Sequence, residues 1–156
     1  MSKSLGRILP RKLYEQLRHD NPKRQNTAIF LAVRDDDGFP HAALFSPYQV
    51  VAPGPGRVYV GIHGGSKTES YLLKSSIATL IVQVEPAVYY IKCRSTMVRE
   101  WEHPRDRLYR LEVSNVLEDY SESAPFISEL RFSERNVIAP YSEEFENIRK
   151  YASENP

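Results

Sequence analysis

The sequence predicts a mainly β protein with short helices, built as a small closed or partly closed barrel of six antiparallel strands. Strand-like runs recur at short intervals, Gly and Pro turns separate them, and only brief helical patterns intervene, which disfavours a doubly wound parallel sheet. Two of the runs alternate cleanly. Ala87, Tyr89, Ile91 and Cys93 interleave with Val88, Tyr90, Lys92 and Arg94, while Tyr109, Leu111, Val113 and Leu117 oppose Arg110, Glu112 and Ser114. That period of two is the mark of a strand with one wet face.

Taken in order, Pro10, Leu13, Tyr14 and Leu17 predict an amphipathic helix over about 10–20, ending near Asn21-Pro22. Thr27 to Arg34 is apolar on both faces and reads as the first strand. Asp35-Asp36-Asp37-Gly38 carries the Asp-Gly hairpin signal into a second strand from Pro40 to about Val51. Pro53-Gly54-Pro55-Gly56 turns the chain into the third strand, Arg57 to Ile62, and Thr68 to Ser75 forms a short helix. Strands Ile77–Val84, Ala87–Arg94 and Arg107–Leu117 follow, so the barrel spans about 27–119. Ser123 and Pro125 open a helical segment with Phe126, Ile127 and Leu130, and Phe145, Ile148 and Ala152 form a helical stripe, giving C-terminal helices over about 123–153.

The whole chain, 1–156, is read as one domain, since no linker or internal repeat interrupts it. At 41% hydrophobic and 26% charged residues it has the makeup of a soluble globular protein. A net charge of +1 supplies little bulk attraction for nucleic acid or anionic lipid, and neither is expected as a partner. The longest strictly apolar run, Ala28 to Val33, is far short of the roughly 20 residues that span a bilayer. A single cysteine and an N-terminus without an apolar signal core predict a cytoplasmic protein.

The stretch Val58-Tyr59-Val60-Gly61-Ile62-His63-Gly64-Gly65-Ser66-Lys67-Thr68 runs a strand into two glycines, a hydroxyl, an ammonium and a second hydroxyl. Glycines let backbone approach an anion, the following helix turns open N–H groups toward it, and Lys67 adds charge, so the stretch can hold a phosphate. Ordinary punctuation, with Ser66 as a helix cap and Lys67 solvated, fits equally well. A nucleotide P-loop fits poorly, because Ser66 stands where its last glycine belongs and no βαβ unit surrounds it.

Asp37-Gly38-Phe39-Pro40-His41-Ala42-Ala43-Leu44-Phe45-Ser46, then the Gly61 to Leu72 segment and Ile77-Ala78-Thr79-Leu80-Ile81-Val82, resemble in that order the FMN-binding split β-barrel of pyridoxamine 5′-phosphate oxidase-like proteins. The resemblance covers roughly Thr27 to Arg94 and makes the expected fold a six-stranded antiparallel split β-barrel with flanking helices. It implies that Ser66, Lys67 and Thr68 stand where the family's Ser-Arg-Lys triplet binds the flavin phosphate. His41 and Ser46 replace the basic ends of the family's R-x-V-L-L-K strand, and Gly61 and Ile62 resemble the residues where the third strand passes the flavin ring. His63, beside the glycines, is the histidine best placed in sequence for a cofactor or substrate edge.

By that resemblance the protein is expected to be a homodimer with FMN at the interface, transferring hydride or electrons to a small-molecule substrate. The Arg- and Trp-rich C-terminal segment of pyridoxamine phosphate oxidation is absent, so substrate residues do not carry over and catalytic residues stay unassigned. The alternative is a non-catalytic split-barrel protein binding flavin, haem or another anionic cofactor, and a third reading is a cofactor-free dimeric interaction module.

Other constellations give less. The four histidines, His19, His41, His63 and His103, show no metal-ligand spacing, so no metal site is expected. Asp35-Asp36-Asp37 lacks the alternating ligands of a calcium loop. Arg99, Trp101, His103, Arg105, Arg107 and Arg110 mix bases with an aromatic but read as a solvated loop and strand face. Cys93 points inward, away from Lys92 and Arg94, and reads as an inert thiol.

Overall fold

The computed structural model describes residues 2–21, 26–102, 106–125, 127–133 and 139–156. Its elements are β1 (Lys3–Gly6), α1 (Arg11–Leu17), β2 (Ile29–Arg34), β3 (Pro40–Phe45), β4 (Val50–Gly54), β5 (Arg57–His63), α2 (Lys67–Ser75), β6 (Ile77–Val84), β7 (Ala87–Glu100), β8 (Asp106–Asp119) and α3 (Ala139–Glu154). The strands form one antiparallel sheet in the order β3-β2-β6-β7-β8-β5-β4, with β1 paired to β8 off that path. This is a split β-barrel with flanking helices, open between its edge strands β3 and β4.

Among the described residues there are eight strands, against the six that the pattern predicts. Ser46 and Pro47 explain one of the two extra strands: Pro47 cannot donate to a ladder, and Pro47–Gln49 coil into a 3₁₀ turn that divides the second predicted strand into β3 and β4. The other is β1, four residues of which only Leu5 is half-buried, against the inner core, so the run is too short to carry a pattern. The Asp-Gly hairpin forms as expected, with Asp35 Oδ1 accepting from the Phe39 N–H at 2.7 Å and Gly38 at φ +91°. The predicted helix after Ser123 is absent among the described residues. Instead the Ala28 N–H donates to the Leu130 carbonyl and Thr27 bridges to Arg131, because backbone from 127 to 133 runs beside 26–28; Phe126 lies outside the described residues.

β8 is the axis of the sheet. β7 pairs along its whole length, from Val88↔Asp119 to Glu100↔Arg107, while β5 and β1 share its other edge. A bulge after Lys92 leaves Ser114 unmatched and swaps the faces beyond it, so Val116, and not Leu117, is buried.

The sheet buries two cores. Its inner face encloses Leu31, Val60, Leu80, Ile91 and Leu111 with Leu13, Leu17 and Leu72 from α1 and α2. The outer face of β4, β5 and β8 carries Val51, Tyr59 and Leu108, and α3 covers them with Ile148 and Ala152. Trp101 joins this second core instead of a basic surface cluster. Where α3 crosses β5 the strand has Gly61, whose absent side chain leaves room for Glu144 and Ile148.

Gly61→Ala is expected to force α3 off its seat, since an added Cβ would fall on Glu144 Oε1 and lie 2.9 Å from Ile148 Cδ1. Thermal unfolding should register a loss of roughly 1–3 kcal/mol. Gly54→Ala, whose Cβ would meet nothing within 4 Å, should leave the melting temperature nearly unchanged.

Candidate functional site

The turn between β5 and α2 is organised by Glu69, a fully folded-in carboxylate at 2% exposure. Ser66 caps α2 by accepting from the Glu69 N–H at 3.2 Å, which is the capping half of the sequence pattern Ser66-x-x-Glu69. The Glu69 carboxylate reaches back one residue further than a capping box requires, accepting from the Gly65 N–H at 2.6 Å. Its other oxygen takes Arg107 Nη1 at 2.5 Å and the Tyr109 hydroxyl at 3.3 Å. Burial pushes the Glu69 pKa up, but Arg107, the Gly65 N–H and Tyr109 outweigh it and hold the carboxyl below its ordinary range. Gly65, at φ +84°, makes the turn at little steric cost.

This network answers half of the phosphate question raised by the sequence. Ser66, and the N–H groups of Gly65 and Glu69, are committed inside the protein, and the Ser66 N–H donates to the His63 carbonyl at 3.2 Å. Among the described residues the N–H groups of Lys67 and Thr68 keep no internal acceptor. Lys67 is exposed beside them, and His41 Nε2 stands 3.1 Å from Thr68 Oγ1, with its ring edge-on to Tyr71 at 5.2 Å. Two open N–H groups, a hydroxyl and an imidazole thus gather at one helix start, and Lys67 is exposed in its first turn. That donor set suits a phosphate.

The remaining predicted residues lie elsewhere. Ile62 is buried in the inner core, so its side chain offers no wall to an outer ligand. Gly61 lies beneath α3. Ser46 is five residues, or about 16 Å of strand, from His41; its N–H donates to Gln49 Oε1 at 3.0 Å. His63 is exposed, with Nδ1 3.6 Å from Asp106 Oδ1.

Ser46 and His63 flank a second polar cluster under α3 that the sequence reading missed. Gln49 Nε2 lies 3.5 Å from Glu144 Oε1, and Glu144 in turn faces Asp106. Burial, and then the Asp106 charge, push the Glu144 carboxyl from an ordinary 4.5 up to about 8, so it is protonated at neutral pH. Burial also raises Asp106, against the pull of His63. No sequence signal marks this cluster, since Glu144 reads as one more acid on an amphipathic helix. Glu69 was missed as well, although its place three residues after a capping Ser was a signal that could have found it.

The basic and aromatic cluster is dismantled by its own contacts. Arg107 is bound by Glu69 and Glu100, and Arg110 pairs with Glu112 at 3.1 Å; His103 and Arg105 lie outside the described residues. Burial raises the Cys93 thiol to about 12, which leaves it unreactive. Among the described residues no group of three or more His, Cys, Asp or Glu side chains is placed to hold a metal ion, and no helix is long and apolar enough to cross a membrane.

Solved structures share this architecture. A Lactobacillus delbrueckii protein named as a candidate pyridoxamine 5′-phosphate oxidase superposes with a TM-score of 0.57 at 15% identity, covering 73% of this chain and 98% of its own. HupZ of Group A Streptococcus gives 0.57 at 8% identity over 72% of this chain and all of its own. The likeness is one of fold, the split β-barrel. A haem-binding protein of Mycobacterium smegmatis gives 0.51 at 11% identity, covering 78% of this chain and 59% of its own. The uncharacterized Bacillus subtilis protein YclD is 23% identical over 134 residues, 82% of this chain and 86% of its own. No protein-family model matches the chain.

The two buried acids predict opposite pH responses. Glu144 holds its proton more tightly in the folded protein, so its contribution to stability is full below about pH 4.5, shrinks as pH rises and is gone above about 8. Glu69, depressed on folding, contributes above its unfolded value near 4.5 and loses that contribution as pH falls. Denaturant titrations across pH should show Glu144→Gln flattening the decline from pH 5 to 8, and Glu69→Gln flattening the acid limb. Arg107→Ala should lower stability at pH 7, because Glu69 stays buried with its charge partner gone.

Proposed function

We propose that this protein binds FMN through its phosphate at the start of α2 and uses the flavin to transfer hydride or electrons to a small substrate. The observation that carries the proposal is the 3.1 Å contact between His41 and Thr68. It joins two segments 27 residues apart in the chain, each of which resembles a flavin-contacting motif of split-barrel proteins. Lys67, the Lys67 and Thr68 N–H groups, the Thr68 hydroxyl and His41 would hold the phosphate, while the flavin supplies the redox chemistry. Ser66 would hold the helix start in position, and Glu69 with Arg107 would fix the turn beneath it. The proposal includes a homodimer with the cofactor at its interface.

A second reading is a non-catalytic carrier of haem or flavin. Its support is that His41 and Ser46 stand where the family's R-x-V-L-L-K strand has its basic ends, together with the likeness in fold to a haem-binding protein. The visible spectrum of the purified protein, with the mass of the ligand released on denaturation, separates the two. FMN followed by reduction with NADH or NADPH supports the first; a haem band supports the second.

Lys67→Ala should weaken FMN binding about 10- to 150-fold in a fluorescence titration, the loss of one charge-assisted contact worth roughly 1.5–3 kcal/mol. Its melting temperature should stay at the wild-type value, because Lys67 is exposed and supports nothing in the core.

A further inference from the structure

We propose that the outer face of β2, β6 and β7 is a second binding site, one that takes a small organic anion with an aromatic or apolar body. This face is the counterpart of the one α3 covers, and at its far end the Leu130 N–H donates to Gln83 Oε1 at 3.0 Å.

Register fixes what the face presents. One row crosses the sheet as Ala42, Ala32, Thr79 and Lys92, each the cross-strand partner of the next. The adjacent row holds Arg34, Ile77 and Arg94. On the other side of the small-residue row lie Leu44, Phe30, Ile81 and Tyr90, again partner to partner. Small residues therefore form a trough between an apolar wall and a cationic one. The bulge on β8 adds the Ser114 hydroxyl at its end. The cationic side of this trough is a cavity of about 520 Å³, within the range of sites for small organic ligands.

The charges are arranged for an anion. Arg34, Lys92 and Arg94 line the cavity, and among the described residues no acid does. Lys92 and Arg94 project from the same side of β7 about 7 Å apart, and Arg34 stands about 10 Å from Arg94 across β6. Three acids of the neighbouring strand and hairpin are engaged elsewhere. Glu112, opposite Arg94, is held by Arg57 at 3.0 Å and Arg110 at 3.1 Å. Asp36 pairs with Lys74 at 2.6 Å, and Asp35 accepts the Asp37 and Phe39 N–H groups in the hairpin turn. Among the described residues Arg34, Lys92 and Arg94 make no ion pair. Three unpaired like charges around a largely apolar hollow repel one another until an anion enters. In a chain of net charge +1 this concentration is local and not a consequence of overall composition.

The site is separate from the α2 donor set. On β3, His41 faces Thr68 and Tyr71, whereas Pro40 faces the cavity. Alternation along the strand sends the two to opposite sides of the sheet.

The test uses 8-anilinonaphthalene-1-sulfonate, which joins an aromatic body to one anion, with fluorescence titration of the purified full chain in low and high salt. Wild-type protein should bind at micromolar concentration, several-fold more weakly in 0.5 M salt. Lys92→Glu/Arg94→Glu should weaken binding at least tenfold, and Ala32→Trp, which fills the trough without altering charge, should do the same. Lys67→Ala should leave it unchanged. If the wild type fails to bind the probe, if the charge reversal and the filled trough bind as well as wild type, or if Lys67→Ala weakens binding equally, the site is not there. Melting temperatures of the two groove variants close to wild type are required for a loss to count; should the double reversal unfold, Arg34→Glu alone replaces it, with the same tenfold expectation.

Discussion

The Glu69 carboxylate is the constraint on which the candidate site depends. It is buried, and a buried charge persists only when it is paired and hydrogen-bonded. Gly65, Arg107 and Tyr109 answer it. In doing so they tie the turn after β5, the start of α2 and the first residues of β8 to one atom group. The turn cannot shift without stripping a partner from that carboxylate. The position of the Lys67 and Thr68 N–H groups, and of Thr68 opposite His41, follows from a contact none of those residues makes.

The same carboxylate also divides the anion-binding capacity of the helix start. A helix offers its first N–H groups to whatever negative charge is nearest, and here an internal acid has taken some of them. What remains is a smaller and more exposed donor set than a glycine-rich loop usually presents. Lys67 and His41 then matter more, because they supply the positive charge and the extra donor that Gly65 and Glu69 no longer can.

Most of the sheet was legible because period-two burial and turn chemistry are local properties. Asp35 to Gly38, the two alternating strands and the α2 cap each carry their signal within a few residues. What was hidden depends on partners far along the chain. β1 has no pattern of its own and exists because β8 extends past the end of β5 and offers an unused edge. The bulge at Ser114 exchanges faces by one residue, which no alternation rule can foresee. Backbone from 127 to 133 lies along 26–28 through bonds over a hundred residues apart, overriding a local helical pattern.

The site divides in the same way. Ser66, Lys67 and Thr68 could be found in sequence because a strand, glycines and a cap adjoin them, but Gly61 and Glu144 explain each other only in three dimensions. Gly61 is not there to bend the chain: its φ is ordinary, and its missing side chain is the space in which a protonated Glu144 and Ile148 lie. The sheet therefore has two outer faces with different fates. One is closed by α3 over apolar residues and a neutral acid, and the other carries small residues, an apolar wall and three cations. Burial against a helix demanded neutrality from Glu144, whereas Arg34, Lys92 and Arg94 stand on a face that α3 does not cross.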